Sequence, residues 1–355
     1  MTPALPDRMR GWQLVGHGGP EMLRWRTDLP VPSPGPGEVL IAVGASSVNN
    51  TDINTRVGWY SKGVTGATAD AATPDDAAAG WAGSALRLPR IQGADCSGRI
   101  VAVGEGVPPA RIGARVLVRA LQQRPDTPVW TFGAECDGGF ADYAVARSFD
   151  ALDLRSDLPD TVLAALPCAY ATALGMVSRA GAGAGDRVLV TGASGGVGAA
   201  AVQLCALRGA EVVAQCAPSK AEALRALGAA TTLARDEAPA PDGFDVVLDL
   251  VGGPAWPALI GALARRGRYV VSGAIAGPMV TLDLRDLYLK DLTFLGSTEQ
   301  DAALLPELIG LVEAGRLVPP LAGTWPLEDL PAAQEAFQSK RHVGKIAIDI
   351  AKGPR

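Results

Sequence analysis

The stretch Val188-Leu189-Val190-Thr191-Gly192-Ala193-Ser194-Gly195-Gly196-Val197-Gly198 constrains the fold of this chain more than any other. A buried strand runs into a tight turn, and an alanine-rich helical pattern follows. Gly195 lets backbone approach an anionic ligand, and Gly198 lets the helix pack closely on the strand. The helix then offers free N–H groups and the positive end of its dipole to that ligand. Ala193, Ser194, Gly195, Gly196, Val197 and Gly198 are therefore expected to face a dinucleotide pyrophosphate, with Ala193 at the first glycine position of G-x-G-x-x-G.

The surrounding rhythm supports this. Strand patterns at 188–191, 211–216, 231–234, 245–250, 268–272 and 292–296 alternate with helical ones at 196–208, 220–227 and 255–266. Gly209, Gly228 and Gly267 fall where those helices should end. Six strands with helical crossovers predict a parallel, doubly wound α/β sheet. A further helix at 301–314 and a strand-like tail at 345–350 follow. Before residue 155 the chain breaks into short apolar runs at 38–43, 98–103, 114–118 and 140–145, separated by turns such as Pro34-Gly35-Pro36-Gly37. That pattern predicts a compact, irregular β domain. Residues 61–90 have no clear period and read as a long surface excursion.

Composition excludes several classes. With 32 basic against 37 acidic residues, a net charge of −5 and no basic stripe, nucleic acid is not an expected partner. The five cysteines (96, 136, 168, 205 and 216) are odd in number and lack C-x-x-C spacing, so a disulfide framework and a zinc knuckle are not expected. Only two histidines are present, His17 and His342, and neither has a partner in sequence that suggests catalysis. Two charge-free stretches, 161–178 and 188–207, are broken by Pro167 and by glycines, and read as buried elements rather than membrane spans. The expected location is cytoplasmic, away from membranes.

The nucleotide type is read from the second strand. Eighteen residues after Gly198 stands Cys216, followed by Ala217, Pro218, Ser219 and Lys220. An enzyme of the NAD type places an acid there to bind the ribose 2′-hydroxyl. A hydroxyl and a cation suit a 2′-phosphate instead, so NADP(H) is expected. Ser219 with Glu222 also reads as a capping box with a solvated Lys220, and the two readings are compatible.

By these features the chain resembles the medium-chain dehydrogenase/reductase family, in particular its zinc-free quinone-oxidoreductase branch. Val48-Asn49-Asn50-Thr51-Asp52, Arg56-Val57-Gly58-Trp59-Tyr60, Gly93-Ala94-Asp95-Cys96-Ser97-Gly98 with Val103-Gly104, and Ala165-Leu166-Pro167 with Thr172-Ala173 look like that family's phrases. The resemblance implies a GroES-like β domain (1–157 and 299–355) and a Rossmann domain (158–298), with the cofactor in the cleft between them. It places Asn49, Ala94 and Cys168 at the positions that hold catalytic zinc in related alcohol dehydrogenases. One thiolate cannot hold zinc, so no metal is expected.

The same resemblance places the chemistry in residues 49–60. Asn49 is expected to donate to the substrate oxygen, or else to hold a turn. Thr51 stands at a proton-relay position, and Asp52 orients its neighbours or caps a turn. Tyr60 is expected to donate to the developing enolate or to pack against substrate. Thr172, Val251, Ser272, Gly273 and Ser297 are placed near the cofactor. Arg235 is placed beside the 2′-phosphate or adenine, or else is an exposed loop charge. The implied activity is NADPH-dependent reduction of a conjugated carbonyl in a small molecule (a quinone, enone or enoyl substrate) by a homodimer. Two rival readings are a metal-independent alcohol or aldehyde dehydrogenase and a non-catalytic nucleotide-binding member.

Overall fold

The computed structural model describes residues 5–70, 85–124 and 127–351. Arg187–Val190 is the centre of a six-stranded parallel sheet. It pairs with Glu211–Cys216 on one side and Phe244–Asp249 on the other. Thr231–Ala234 extends one flank; Leu263–Val271 and Thr293–Gly296 extend the other. Val188, Leu189 and Val190 are fully buried, as both faces of the sheet are covered. Helix Gly196–Leu207 covers one face with Ala199, Ala200, Ala201, Val202 and Leu204.

The expected strands are all present. The helix expected over 255–266 is confined to Trp256–Gly261, because Leu263 already pairs with Phe244 in the sheet. Gly209 (φ +82°) and Gly228 (φ +109°) end their helices as expected, but Gly267 does not. The left-handed residue at the third site is Arg266, with φ +65°. Ser219 is also not a helix cap. Pro218 starts a tight turn, Pro218–Lys220, and the helix Ala221–Ala226 begins after it with no side-chain cap.

The other domain is built on the long strand Glu38–Ser47, which pairs with Ser97–Val103 and Tyr143–Arg147. Lys345–Asp349 adds to its free end through Ala45, Ser46 and Ser47, so the last strand returns to the first domain. A smaller sheet of Leu23–Pro30, Arg8–Leu14 and Arg90–Ile91 lies beside it. The excursion expected over 61–90 lies partly outside the described residues.

The segment Asp160–Ala180 is long and apolar enough to cross a membrane by length and composition alone. Here Leu163, Leu166, Tyr170, Leu174, Met176 and Val177 are buried in the core against the nucleotide sheet and its helix. It is a core element.

Candidate active site

The glycine-rich turn is tight for a backbone reason. A Cβ on Gly198 would lie 2.4 Å from Gly192 O and 2.6 Å from the Ala193 Cα, so only glycine fits. A Cβ on Gly195 would meet nothing nearer than 3.5 Å, which leaves that edge open. Gly195 caps the helix without a side-chain bond, so its first amides remain for an anion. Beneath the turn lies Asp249, fully buried. It accepts from Thr191 Oγ1 (2.6 Å), Tyr269 Oη (2.6 Å) and the Val251 N–H (2.9 Å), with Gly252 N–H adding further contacts. This carboxylate sets the loop that carries Val251. Sequence reasoning missed it; the signal was an acid directly after the apolar run Val246-Val247-Leu248.

Other expected cofactor residues gather along the same edge. Thr172 Oγ1 accepts from the buried Gln300 at 3.3 Å. Ser272 and Ser297 are held by backbone bonds to Asp249 O and Val271 O, at the ends of neighbouring strands. A Cβ on Gly273 would come within 3.0 Å of Leu250 O.

Cations collect beside the turn. Lys220 is buried rather than solvated; its Nζ donates to Ser194 Oγ (3.1 Å) and to Lys340 O (2.6 Å). Lys340 Nζ reaches Asn50 Oδ1 at 3.1 Å and lies 4.0 Å from the centre of the Phe337 ring. Burial, reinforced by Lys220, lowers Lys340 to about 8. Burial also lowers Lys220, with nearby Arg235 adding to the effect. Burial and the charges of Lys340, Lys220 and Lys345 lower His342 to about 4, and its buried Nδ1 has no partner. Lys220 and Lys340 thus place positive charge beside the turn, with a neutral His342 nearby. Ser219 and Arg235 are exposed beside it. Sequence reasoning missed Lys340 and His342, which reach this place from the far end of the chain.

A second cluster lies at the start of helix Asn50–Val57. Asp95, fully buried, accepts from the Cys168 N–H (2.8 Å), Asn49 Nδ2 (2.7 Å) and Ser47 Oγ. Lys345 Nζ donates to Val48 O (3.0 Å), to Asn49 Oδ1 and to Asp95 Oδ2 (3.3 Å). Asn49 Nδ2 also donates to Ser47 O at 3.2 Å. Both Asn49 amide hydrogens are thus engaged within the protein. Of the two roles expected of Asn49, these bonds match the one in which it holds the local backbone. Its N–H donates to Asp52 Oδ2 at 2.8 Å, so Asp52 caps the helix start. Burial is the main cause that pushes Asp52 up to about 7. Tyr60 Oη donates to Thr51 Oγ1 at 3.2 Å. Burial pushes Tyr60 up to about 12, so its proton stays in place at neutral pH.

The donor set does not fit zinc. Of the three positions, Asn49 has its oxygen on an ammonium, Ala94 has no donor, and only Cys168 is a soft ligand. Burial raises the Cys168 thiol, which opposes thiolate formation. Among the described residues no three His, Cys, Asp or Glu side chains are grouped to hold a metal. The dinucleotide does fit: an open glycine edge, a helix start without a side-chain cap and the Lys220 ammonium lie together.

Comparisons with known proteins agree with this layout. Residues 35–156 match the family model described as alcohol dehydrogenase GroES-like domain, and residues 220–348 match zinc-binding dehydrogenase. A crystal structure from Sinorhizobium meliloti 1021 superposes with a TM-score of 0.88 at 40% identity, over 97% of each chain. The quinone oxidoreductase of Lama guanicoe is 28% identical over 96% of this chain and 97% of its own length. The acryloyl-coenzyme A reductase of Sulfurisphaera tokodaii is 26% identical over 93% of this chain and 97% of its own length. The chain also matches polyketide synthase GfsB of Streptomyces halstedii at 30% identity, but spans only 5% of its length.

Proposed function

We take as premise that the chain belongs to the medium-chain dehydrogenase/reductase superfamily, and propose that it is an NADPH-dependent reductase of a conjugated carbonyl that works without zinc. The observation that carries the reading is the exchange of a metal-binding set for the hydrogen-bonded set Asn49, Asp95 and Lys345. Oxidising a simple alcohol calls for a metal or base to take the hydroxyl proton. Reducing a quinone, enone or enoyl thioester calls for fixed donors near an oxygen that gains charge. The names of two similar proteins, a quinone oxidoreductase and an acryloyl-coenzyme A reductase, point the same way.

The nicotinamide, when bound, supplies the hydride. The chain supplies position. The amides at the start of helix Gly196–Leu207 and the open edge at Gly195 hold the pyrophosphate. Lys220, Lys340 and Arg235, with the Ser219 hydroxyl, take the 2′-phosphate; this supports NADPH over NADH. Thr172, Val251, Ser272, Gly273 and Ser297 line the rest of the cofactor edge. Tyr60 keeps its proton; when substrate binds, its hydroxyl turns from Thr51 Oγ1, which then donates to Tyr60 Oη, and the phenol proton is donated to the substrate oxygen. Asp52 holds the Asn49 backbone, and thereby the start of the helix that carries Thr51.

The partner proposed is a second copy of the chain. Thr293–Gly296 is an edge strand, and Met279, Val280, Leu284, Tyr288 and Leu289 leave apolar surface exposed nearby in sequence. Light scattering that gives one chain mass removes this partner.

NADPH oxidation across quinones, enones, enoyl thioesters and aldehydes tests the function. Turnover of at least one conjugated acceptor is expected, with simple primary alcohols slow or inert. Fast alcohol oxidation with no conjugated acceptor turned over refutes the reading. Stoichiometric zinc that a chelator removes together with activity refutes its metal-free part.

A further inference from the structure

One side chain touches both halves of the site. Lys345 begins the last strand and is 2% exposed. Its backbone N–H is tied to Pro320 O at 3.0 Å, and Gly344 N–H beside it donates to Ser194 O in the glycine-rich turn at 3.0 Å. Its stem lies against that turn: a Cβ placed on Gly196 would lie 2.6 Å from Lys345 Cδ and 3.4 Å from Cγ. Its ammonium then reaches the opposite cluster, where Val48 O, Asn49 Oδ1 and Asp95 Oδ2 match its three hydrogens.

We propose that Lys345 is a positioning residue of the reductase, a single side chain that fixes the register between the glycine-rich turn and the Asn49–Asp95 cluster. The inference rests on the reading above for what that register serves. A lysine ammonium is a compact point charge on a flexible stem, and here both parts are used. A side chain at position 196 would force the stem to shift, and its ammonium end is already pinned by three acceptors. The ammonium selects the amide rotamer of Asn49, because an Asn49 Oδ1 turned toward Asp95 would face a carboxylate oxygen. With Nδ2 on Asp95 instead, the backbone at Val48 and Asn49 is held, and the helix carrying Thr51 and Asp52 starts from a fixed point. Hydride transfer is sensitive to such placement, since small displacements of the reacting atoms cost large factors in rate. The site therefore carries a built-in cation where related alcohol dehydrogenases have their metal positions, and that cation belongs to the strand whose neighbour Gly344 binds the turn.

Two measurements test this on the full chain. The first is a cycle in NADPH affinity, read by cofactor fluorescence and needing no substrate. Gly196→Ala should weaken binding by about tenfold in the native background, because the new methyl strikes the Lys345 stem. In the Lys345→Ala/Asp95→Asn background, where stem and stranded charge are both gone, the same change should cost under about threefold. Equal losses in both backgrounds overturn the proposed register. The second is a kinetic split. Lys345→Met/Asp95→Asn, a neutral pair that avoids an unpaired buried charge, should lower kcat by about tenfold or more with substrate KM little changed. Lys345→Arg should recover part of that loss. A neutral pair with native kcat and native NADPH affinity overturns the proposal. A native enzyme that binds NADPH yet reduces no acceptor refutes the reductase reading alone, and the affinity cycle still decides the role of Lys345.

Discussion

Lys345 and Asn49 meet across 296 residues of sequence, the ammonium of one donating to the side-chain oxygen of the other. Because that bond uses the Asn49 oxygen and the two amide hydrogens go to Asp95 and Ser47, the carboxamide is fully satisfied. Asn49→Ala should therefore cost about 1–3 kcal/mol in denaturant unfolding, the scale for stranding buried partners. A cost near zero means that water replaces the amide without loss.

Tyr60→Phe separates donation from packing. The ring and its edge contact with Trp59, at 5.7 Å between centres, are retained, while the hydroxyl on Thr51 is lost. A donor to the reacting oxygen predicts kcat lower by about ten- to a hundredfold, with KM within a small factor. Unchanged kcat assigns Tyr60 to packing.

The cationic pocket predicts discrimination between cofactors. Lys220→Ala or Lys340→Ala should weaken NADPH by about 1–3 kcal/mol and leave NADH nearly unchanged. Lys340 adds a pH signature. Its value of about 8 lies below that of an ordinary lysine, so it is cationic below about pH 8 and loses its charge above. Preference for NADPH over NADH should be full on the acid side and should fade as pH rises through that value. A phosphate favours the ammonium, so binding on the alkaline side should take up a proton. Calorimetry in buffers of different ionisation heat reads that proton. Parallel NADPH and NADH curves across this range rule out Lys340 as a phosphate ligand.

Much of this layout is legible in sequence. The six strands and their crossovers follow from alternating apolar runs and helices, and the turn from its glycines, of which Gly198 leaves no room for a Cβ. The far-end cations are not. Residues 339–345 read Ser-Lys-Arg-His-Val-Gly-Lys, which looks locally like a solvated basic turn. Only the pairing of Lys345–Asp349 with the strand Glu38–Ser47 carries Lys345 into the interior. Ser219 with Glu222 carried a local capping pattern that lost to Pro218, whose fixed φ starts a tighter turn first. The bonds that engage the Asn49 side chain are hidden for a similar reason. Its partners Asp95 and Lys345 are distant in sequence, and no local pattern announces them.

Asp52 predicts a stability trend. Burial, with Asp95 adding to it against the opposing Asn49 N–H and Lys345, lifts the folded carboxyl to about 7 from an ordinary value of 3.8. A raised folded value favours the protonated acid in the fold. That contribution is complete below the ordinary value and is lost as pH rises through about 7. Asp52→Asn removes the titration and keeps an acceptor oxygen. The variant should gain on the native protein in urea midpoint as pH rises from about 4 to 8. A constant difference across that range shows that Asp52 ionises freely in the fold.

Gly198→Ala tests the turn itself. The new methyl would lie 2.4 Å from Gly192 O and 2.6 Å from the Ala193 Cα, and backbone cannot step aside as a flexible side chain can. A loss of at least about 1–3 kcal/mol is expected, together with weakened binding of both NADPH and NADH. Native stability with native binding shows that the turn yields.

The return of the last strand to the first sheet has a consequence for biosynthesis. Translation proceeds from the N-terminus, and every strand of the nucleotide sheet has been made once Gly296 is added. Lys340 and Lys345 are not yet made at that point, and the end of Glu38–Ser47 still lacks its partner. A nascent chain therefore has every strand of the nucleotide sheet before it has Lys340 or the buried ammonium of Lys345. A product cut short between Gly296 and Lys340 keeps every strand of that sheet while missing Lys340 and Lys345, and its solubility would say nothing about its activity.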